Sequence, residues 1–564
     1  MSQTPNYYQK LAKKNELTYL SADKLQISPG MLHKKFLKTY MKLKAMPIGK
    51  KGEAIIVATS ELSLKNITAI KKYWGHDVIL RVTPIQLIFS KLHTSFPDVF
   101  SKEIDTDLVN KYPELSSKKV FCLWQKIALL MLLIGLCIFM VINHEETLFW
   151  MLLTLEVGVS FTWIYKLFLV IGTFFSRQKP IVIPKKMQQP FYTILLPLLD
   201  EGEATIRNLV NALNKLEYDV HKLDIKFLVD NDIATEKILR KLDLPYYMQI
   251  YNVPRANFHS KPRACNYGLK WAVGEYLVIY DAEDKPGPLQ LQKALYAFSN
   301  FDENTACVQA ELNFYNKFEN FLTKSFTVEY MVWHGVIFKM MSRLKLPVPI
   351  GGTSNHFKVS VLEEVGAWDP VNVTEDADIG IRLYRFKYLV CSIPSTTYEE
   401  ANTRLGNWIT QRTRWVKGFM QTYLVHMRNP FKLLKELGLA GFLNFQIIIG
   451  GSVFANLACL ILWMLFIGYL LFHGFFIHNH YEVTVLRYAW INLVIGNIAM
   501  IAMNVLVVIR NRMFSLICYA LLSPIYWILM GVASYRALYQ IFVKPFHWEK
   551  TDHGISKEFF KKRK

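Results

Sequence analysis

The sequence predicts an α/β domain that is inserted between transmembrane helices and preceded by a small α/β or α+β domain. Of the 564 residues, 52% are hydrophobic and 14% aromatic, which is too apolar for an ordinary soluble protein of this length. Apolar runs long enough to span a bilayer lie on both sides of a central stretch, residues 180–430. Within that stretch, short apolar strands alternate with helical segments, a pattern typical of a parallel sheet.

The amino-terminal residues, 1–115, are polar and mixed in composition. Gly52–Ser60 ("GEAIIVATS") has the pattern of a buried strand, Leu64–Gly75 that of a helix closed by glycine, and His76–Thr83 that of a second strand. The first 20 residues contain no apolar core, so no cleavable signal peptide is expected. We expect a small regulatory or docking domain here.

Two long apolar runs, Phe121–Ile142 and Leu148–Phe175, predict a transmembrane hairpin over residues 121–175. Only the polar turn "NHEET" separates them. Lys and Arg precede and follow the hairpin but are absent from its turn, so both flanks are expected in the cytoplasm.

The carboxyl-terminal region, residues 441–543, is again apolar. Three segments stand out, near Phe442–Phe472, Val485–Ile509 and Met513–Val543. The loop His473–Thr484 has no Lys or Arg and is expected outside, whereas the basic tail, residues 544–564, is expected inside. If Val485–Ile509 and Met513–Val543 each cross the membrane once, a chain that starts from an outer loop would also end outside. This contradicts the expected position of the basic tail inside. Either Pro524 breaks it into a re-entrant hairpin or one loop lies on the other side.

The formal net charge of +21 does not indicate a nucleic-acid partner, because Lys and Arg cluster beside the apolar runs. We interpret the positive charge as belonging to residues that orient the protein in the bilayer and contact lipid. The seven cysteines are scattered without CxxC spacing, so neither a disulfide framework nor a zinc site is expected.

Acidic side chains follow three predicted strands of the central domain. The strands are Tyr192–Leu199, Asp224–Asp230 and Glu275–Asp284, and the acids at their ends are Asp200, Glu201, Asp230, Asp281, Glu283 and Asp284. In an open parallel sheet the ligand lies at the carboxyl ends of the strands. Carboxylate oxygens suit a hard divalent cation, with a diphosphate supplying the other ligands, so we expect a Mg²⁺ or Mn²⁺ site at this edge.

The stretch Leu405–Gln421 is both basic and aromatic. As a helix it places Gln411, Arg414 and Trp415 on one face, because residues three and four apart are neighbours. Such a face suits a ligand with sugar and phosphate character, since Arg binds phosphate through two hydrogen bonds and aromatic rings cover apolar faces. An amphipathic helix at the membrane interface is the alternative explanation.

From about Gln189 to Trp415, the order of motifs resembles family 2 glycosyltransferases with the GT-A fold, especially the membrane-embedded branch that contains cellulose and hyaluronan synthases. The strand ending at Asp230 looks like the one that reads the uracil base. "KPRACNYGL" resembles a segment near the nucleotide, with Cys265 in place of the usual Leu. The resemblance and the strand ends imply six donor-side residues: Asp200, Glu201, Asp230, Lys261, Asn266 and Asp281.

Two further motifs carry the expected chemistry. "DAED" is similar to the metal-binding DxD motif, in which Asp281 aligns and either Glu283 or Asp284 is the second ligand. "TED" matches the family's triplet, which implies that Asp376 is the general base with Glu375 beside it.

The acceptor side is implied by two segments. "QRTRW" fits the family's QxxRW motif, which implies Arg414 near the diphosphate and Gln411 and Trp415 near the acceptor sugar. The Gly-rich turn Ile350–Lys358 resembles the acceptor-side loop, with Asn355 or His356 able to contact sugar, although a plain turn explains it as well.

The amino-terminal domain resembles the carboxyl half of the domain that begins type II secretion and pilus ATPases, which in some proteins binds cyclic di-GMP. A similar domain accompanies NfrB-type bacterial glycosyltransferases, and the "PFHWEKTDHG" tail resembles that group too. The nucleotide-binding repeat Arg-Leu-Gly-x-x-Leu is missing, and Arg81 is the only arginine of residues 1–115. A plain docking domain is therefore the alternative to a cyclic di-GMP sensor.

These features predict a multi-pass protein of the bacterial inner membrane with a cytoplasmic catalytic domain. The expected function is that of an inverting, processive glycosyltransferase that uses a UDP-sugar and secretes the growing glycan through its own helices. The alternatives are transfer of one sugar to a lipid-linked acceptor, and a membrane receptor or scaffold with an inactive transferase domain. Displacing UDP requires a carboxylate base and cations on the leaving diphosphate, which Asp376, Arg414 and the metal supply.

Overall fold

The computed structural model describes residues 7–176, 181–184, 187–256, 259–471, 488, 489, 491–549 and 556. The expected outer loop, His473–Thr484, and most of the basic tail lie outside the described residues.

A four-stranded sheet forms the core of the amino-terminal domain. Its strands are β1 Thr18–Tyr19, β2 Ala45–Lys51, β3 Ala54–Thr59 and β4 Val78–Val82, and its helices are α1 Tyr7–Lys14, α2 Leu37–Leu43, α3 Leu64–Trp74, α4 Ile85–Ser95 and α5 Glu103–Lys111. The strand order is β1-β4-β3-β2. The predicted strand, helix and strand are confirmed as β3, α3 and β4. Ser63 begins α3 by accepting a hydrogen bond from the backbone amide of Asn66.

Helices α4 and α5 dock the amino-terminal domain onto the central domain. Gln86 of α4 donates to the backbone carbonyl of Leu223 at 2.8 Å. Asp105 of α5 forms an ion pair with Arg263 at 2.8 Å, and the Arg263 side chain is almost completely buried. The amino-terminal domain thus packs directly against the segment that is expected to lie near the nucleotide.

Two long antiparallel helices follow, α6 Leu123–Ile142 and α7 His144–Phe174. Both helices are long and apolar enough to cross a membrane, as the predicted hairpin requires, but most of the predicted turn belongs to α7. The reason is local: the Asn143 side chain accepts from the backbone amide of Glu146 at 3.2 Å, which caps a helix whose first turn is acidic.

The central domain is built on a seven-stranded mixed sheet. Its strands are β5 Tyr192–Leu198, β6 Leu223–Val229, β7 Met248–Asn252, β8 Tyr276–Ile279, β9 Thr305–Phe314, β10 Asn355–Lys358 and β11 Leu389–Glu399. Its helices are α8 Glu203–Leu213, α9 Ile233–Arg240, α10 Lys261–Lys270, α11 Gln290–Asn300, α12 Phe321–Val332, α13 Phe338–Arg343, α14 Val359–Glu364, α15 Glu375–Arg385 and α16 Leu405–His426. The strand order is β11-β9-β10-β8-β5-β6-β7.

One strand of this sheet departs from the predicted parallel arrangement. β10 pairs antiparallel with β8 and with β9, whereas the other pairs are parallel. The sequence predicts only a turn over Ile350–Lys358. Its last four residues form a strand because β8 and β9 supply hydrogen-bond partners on both sides, a tertiary effect that a four-residue polar pattern does not reveal.

The carboxyl-terminal helices are α17 Pro430–Phe445, α18 Ser452–Leu471, α19 Asn497–Arg510, α20 Ile517–Leu521 and α21 Ser523–Val543. A π-helical segment joins α17 to α18, and another leads into α19. Four helices of the described residues are long and apolar enough to cross a membrane, and a bent pair ending in α21 could make a fifth. Arg510 at the end of α19 lies 4.9 Å from the Phe174 ring at the end of α7, so those two helix ends meet.

The last apolar segment is bent by 58° between Leu521 and Ser523, immediately before Pro524. Proline in the first turn of α21 starts a new helix there. Ser523 accepts a hydrogen bond from Asn504, in the middle of α19, at 2.8 Å. At the other end of α21, Phe542 stacks on Phe121 just before α6, with ring centroids 5.4 Å apart. A bend at this position is compatible with the predicted re-entrant hairpin and also with one broken span.

Candidate active site

A cavity of about 440 Å³ lies at the carboxyl ends of β5, β6 and β8. These three parallel strands are neighbours in the sheet, so the acids that follow them gather at one edge, as the sequence predicts. Ten of the predicted site residues line the cavity: Glu201, Asp230, Lys261, Asp281, Glu283, Glu375, Asp376, Gln411, Arg414 and Trp415. The fold brings together motifs that are far apart in the chain.

Lys261 links the acids of β8 to the TED turn, residues 374–376. Its Nζ lies 2.5 Å from Oδ1 of Asp281 and donates to the backbone carbonyl of Gly352 at 2.7 Å. A Cβ at Gly352 would lie 3.1 Å from Oδ2 of Asp376, so a larger residue would crowd this carboxylate. Burial disfavours the charge of Lys261, but the carboxylate of Asp281 outweighs the effect of burial and raises the pKa of Lys261.

Helix α16 holds the TED turn in place. Gln421 accepts a hydrogen bond from the backbone amide of Val373 at 3.1 Å. The two segments approach so closely that a Cβ at Gly418 would lie 2.1 Å from Oγ1 of Thr374. Glycine is therefore required at this position of α16, and the helix that carries Arg414 is tied to the turn.

Two neighbouring carboxyl groups in the TED turn have raised pKa values. Burial, followed by the charge of Asp376, raises the pKa of Glu375 to about 8. Burial also raises the pKa of Asp376, although Lys261 and Arg414 act in the opposite direction. Glu375 is therefore mostly protonated at neutral pH, and Asp376 is the member of the pair that is suited to accept a proton.

Arg414 is the cation that faces these carboxyl groups. Its guanidinium lies 5.0 Å from the ring of Trp548, and burial lowers its pKa against the opposing effect of the nearby acids, among them Asp376. Within the described ranges, no carboxylate oxygen lies at ion-pair distance from Arg414. A guanidinium that is held by a ring and points at a cavity is suited to bind an oxyanion.

The second arginine of this helix has a different role. Arg412 makes two hydrogen bonds to the carboxylate of Glu329, at 2.8 and 2.5 Å, and its guanidinium lies 4.6 Å from the Trp415 ring. Trp415 lines the cavity and lies nearly parallel to Tyr330, with ring centroids 6.3 Å apart. Arg412 thus stabilises the aromatic wall of the cavity, whereas Arg414 faces its interior.

The acids of the DxD-like motif differ in orientation. Asp281 and Glu283 line the cavity, but Asp284 is buried beneath it. Oδ2 of Asp284 accepts from the backbone amide of Asp281 at 2.7 Å and from the hydroxyl of Thr353. Of the two candidates for the second metal ligand, the geometry favours Glu283.

The described residues contain no group of three His, Cys, Asp or Glu side chains arranged to hold a metal ion by themselves. The donor set nevertheless fits a hard cation that a diphosphate helps to bind. Asp281 and Glu283 present carboxylates to the cavity, and the buried Oε1 of Glu399, which also lines it, has no hydrogen-bond partner among the described residues. Burial and the charge of Asp284 raise the pKa of Glu399.

Two predicted acceptor contacts are wrong. Asn355 and His356 are buried in β10, and Nδ1 of His356 hydrogen-bonds with the Tyr192 hydroxyl at 2.7 Å. Both side chains are buried within the fold, and neither lines the cavity. Gln411 does line the cavity, but its Oε1 accepts from Asn402 at 2.8 Å, which leaves the amide nitrogen to face a ligand.

Two predicted donor contacts are also wrong. Asn266 accepts from the backbone amide of Trp368 at 3.1 Å and donates to its carbonyl at 2.8 Å, so it joins two segments of the fold. Asp200 occupies a turn with φ 56°, and its backbone amide donates to Asp232 at 2.6 Å. Neither residue lines the cavity. A motif or a strand end predicts only that a residue lies near the active site, and it does not predict the direction of the side chain.

Sequence reasoning missed Glu399 and Trp548. Glu399 ends β11, so the rule about acids at strand ends could have found it. Trp548 belongs to the tail, whose first residues fold back over α16 instead of extending away. Lys417 donates to the carbonyl of His547 at 2.7 Å, and Gln421 donates to that of Pro545 at 2.9 Å. The only sequence feature that pointed to Trp548 was the resemblance of its segment, "PFHWEKTDHG", to the tail of NfrB-type proteins.

Comparisons with known proteins agree with this site. The family described as glycosyl transferase family group 2 matches residues 276–545, which include Asp281, Asp376 and Arg414. The probable glycosyltransferase YdaM of Bacillus subtilis (strain 168) is 26% identical over 297 residues, which cover 50% of this chain and 69% of the relative. The chain carries a family 2 glycosyltransferase domain. The site described above lies within this transferase domain and the segments packed on it.

Two further relatives of this glycosyltransferase have more specific names. A β-monoglucosyldiacylglycerol synthase of Trichormus variabilis is 28% identical over 262 residues, covering 45% of this chain and 54% of that protein. A poly-β-1,6-N-acetyl-D-glucosamine synthase of Staphylococcus epidermidis is 27% identical over 274 residues, covering 46% and 64%. The matches thus span between about half and two thirds of these two proteins.

Among solved structures, a mannosyltransferase of Pyrobaculum calidifontis in complex with GDP-Man and Mn²⁺ is similar to the glycosyltransferase at a TM-score of 0.46 and 14% identity. The similarity covers 70% of this chain and 99% of that one.

Proposed function

We propose that this glycosyltransferase transfers a sugar from a UDP-sugar to a growing glycan with inversion, and that the glycan leaves through a path between its membrane helices. The transferase would be a multi-pass protein of the bacterial inner membrane, with its active site in the cytoplasm. The acids, the TED turn and Arg414 at one cavity support transfer. A second cavity, which shares four lining residues with the first, supports export.

The second cavity has a volume of about 720 Å³ and lies among α7, α18 and the segment that contains α19. Four residues line both cavities: Lys166, Asn456, Met500 and Trp527. The lining follows α7 from Lys166 to His144, which is about 33 Å of helix at a rise of 1.5 Å per residue. Since the hydrocarbon core of a bilayer is roughly 30 Å thick, a cavity of this length supports the proposal that the glycan passes between these helices to the opposite side.

Transfer of one sugar to a lipid carrier is the second candidate. Apolar side chains such as Leu148, Leu152 and Leu462 form a large part of the lining, which would also suit a hydrocarbon chain. An inactive receptor is disfavoured, because Asp281, Asp376 and Arg414 still converge on one cavity.

In the proposed reaction, Asp376 accepts the proton of the acceptor hydroxyl while that oxygen attacks the anomeric carbon of the donor sugar from the face opposite UDP. The bond between the anomeric carbon and the UDP oxygen breaks, and its electron pair leaves with UDP. Arg414 stabilises the negative charge that develops on the diphosphate. Mg²⁺ or Mn²⁺, held by Asp281 and Glu283, would add positive charge at the same diphosphate.

The size of the product distinguishes the two candidates. Purified full-length enzyme in lipid nanodiscs would be incubated with a panel of labelled UDP-sugars, and the products would be separated by size and by extraction into organic solvent. A growing glycan predicts a water-soluble ladder or polymer. A single labelled, solvent-extractable product would instead establish the lipid acceptor, and absence of transfer from every nucleotide sugar would refute the proposal.

The rate of transfer should depend on pH through Asp376. The base must be ionised, so kcat is expected to fall as the pH drops through the pKa of Asp376. Since burial raises this pKa above the ordinary value of 3.8, the acidic limb should also lie above it. A pH profile of single-turnover rates measures the pH at which the rate of transfer falls. A flat profile down to the ordinary pKa of aspartate would contradict this assignment.

Replacing Trp415 by alanine should weaken use of the acceptor more than binding of the donor. The ring lines the cavity, and we propose that it covers the acceptor sugar. Aromatic stacking on a base contributes about 1–3 kcal/mol, and we take the same magnitude for a sugar. We expect KM for the acceptor to rise roughly ten-fold or more, with UDP affinity close to that of the wild type. The exposed Phe431 provides a control, and Phe431→Ala should change neither quantity.

For the amino-terminal domain we propose docking, with sensing of cyclic di-GMP as the alternative. The buried pair of Asp105 and Arg263 joins this domain to α10, whose first residue is Lys261. Arg81 lies within the parallel pairing of β4 with its neighbours. Titration calorimetry of the full chain with cyclic di-GMP should show no saturable binding. Saturable binding together with faster sugar transfer would establish a sensor instead.

A further inference from the structure

Lys166 carries a charge in a helix that is long and apolar enough to cross a membrane. It lies eight residues before the end of α7, about 12 Å along the helix, and it lines both the active-site cavity and the second cavity. An ionisable residue at such a position is costly, and it usually faces a cavity where a ligand or a partner compensates its charge.

The protein supplies Lys166 with no ion pair of its own within the described part of the chain. Glu329 acts on it electrostatically, but this carboxylate is already engaged. It accepts two hydrogen bonds from Arg412 and a third from the hydroxyl of Tyr526 at 2.8 Å. Glu156, in the same helix as Lys166, accepts from the side chain of Asn492. The ammonium group of Lys166 therefore lies where the two cavities adjoin, and no carboxylate of the described residues forms an ion pair with it.

The surroundings of Lys166 favour a glycan over a hydrocarbon chain at this point. Asn456 and Trp527 line both cavities with it, and Trp163 and Asn497 line the second cavity farther on. Indole rings cover the apolar faces of sugars, and amides hydrogen-bond with hydroxyl groups. A hydrocarbon chain would offer the amide of Asn456 no hydrogen-bond partner, which costs free energy.

We propose that Lys166 binds a carboxylate or another oxyanion on the glycan, so that the glycan handled by this enzyme is acidic. This inference rests on the proposed function, since it names the chemical class of the chain that leaves the active site. An anionic sugar would form an ion pair in a cavity of low dielectric constant, where the attraction is much stronger than in water. A neutral sugar would leave the cationic charge of Lys166 uncompensated.

The experiment measures binding and requires no sugar transfer. Purified full-length protein in a neutral detergent is titrated with an oligosaccharide of alternating uronate and N-acetylhexosamine residues, and separately with the same oligosaccharide after reduction of its carboxyl groups. We expect the acidic form to bind at least roughly ten-fold more tightly. Because no nucleotide sugar is present, failure of the proposed transferase activity would leave this result interpretable.

Three variants test whether Lys166 causes the preference. Lys166→Met keeps a long side chain and removes the charge, so it should bind both oligosaccharides equally. Lys166→Arg should keep the preference. Lys126→Met removes an exposed lysine of α6 that lines neither cavity, and it should behave as the wild type.

Three outcomes would overturn the inference. The first is a wild type that binds both oligosaccharides equally, and the second is a preference that survives in Lys166→Met. The third uses a polyisoprenyl phosphate in neutral micelles as the probe. Lys166-dependent binding of this lipid, without binding of either oligosaccharide, would assign the residue to a lipid phosphate.

Discussion

The Asp376→Asn variant is expected to lose roughly a hundred- to ten-thousand-fold in kcat, the usual contribution of a positioned general base. Asparagine has almost the same shape, and it can still accept the hydrogen bond that Oδ1 receives from the backbone amide of Ala377 at 2.8 Å. The start of α15 should therefore keep its structure, and the affinity for UDP should stay close to normal. Initial rates with a labelled UDP-sugar and calorimetry with UDP measure the two quantities.

The neighbouring acid provides a matched control for this variant. Because the pKa of Glu375 is raised to about 8, its side chain is mostly protonated at neutral pH and resembles glutamine. Glu375→Gln should therefore lose much less activity than Asp376→Asn, by roughly ten-fold or more. Equal losses in the two variants, or near-normal turnover of Asp376→Asn, would remove Asp376 from the role of base.

Removal of divalent metal should abolish transfer, and Mg²⁺ or Mn²⁺ should restore it. The reason is electrostatic: Asp281 and Glu283 bring negative charge to a cavity that must also hold a diphosphate. Purified enzyme would be dialysed against EDTA and assayed during titration with each metal. Full activity in excess EDTA would be incompatible with the assignment of the DxD-like motif.

Separate substitutions identify the second metal ligand. Glu283→Gln removes a carboxylate that lines the cavity, so it should raise the metal concentration needed for half-maximal activity by roughly ten-fold or more. Asp284→Asn should have a smaller effect, because Asp284 is buried and holds the turn through the backbone of Asp281 and the hydroxyl of Thr353. A larger metal requirement in Asp284→Asn than in Glu283→Gln would reverse the assignment.

The sequence by itself determined the class of fold, the membrane-type helices and most of the residues around the site. Apolar periodicity is a local signal, so β3, α3 and β4 could be predicted with nearly correct bounds. Acids at the ends of parallel strands had to meet at one edge of the sheet, whatever the rest of the chain does. The TED and QxxRW motifs can likewise be recognised from short stretches of sequence.

Only the tertiary structure decided which of these residues face the cavity. Asp284 and Glu283 are adjacent in the chain, yet one is buried in the turn and the other lines the site. His356 was one of two candidates for a sugar contact, yet its side chain is buried and hydrogen-bonds with the hydroxyl of Tyr192, which is far away in the sequence. Trp548 reaches Arg414 because the tail folds back across α16. Such orientations depend on contacts between segments far apart in the chain, and local sequence patterns carry no information about them.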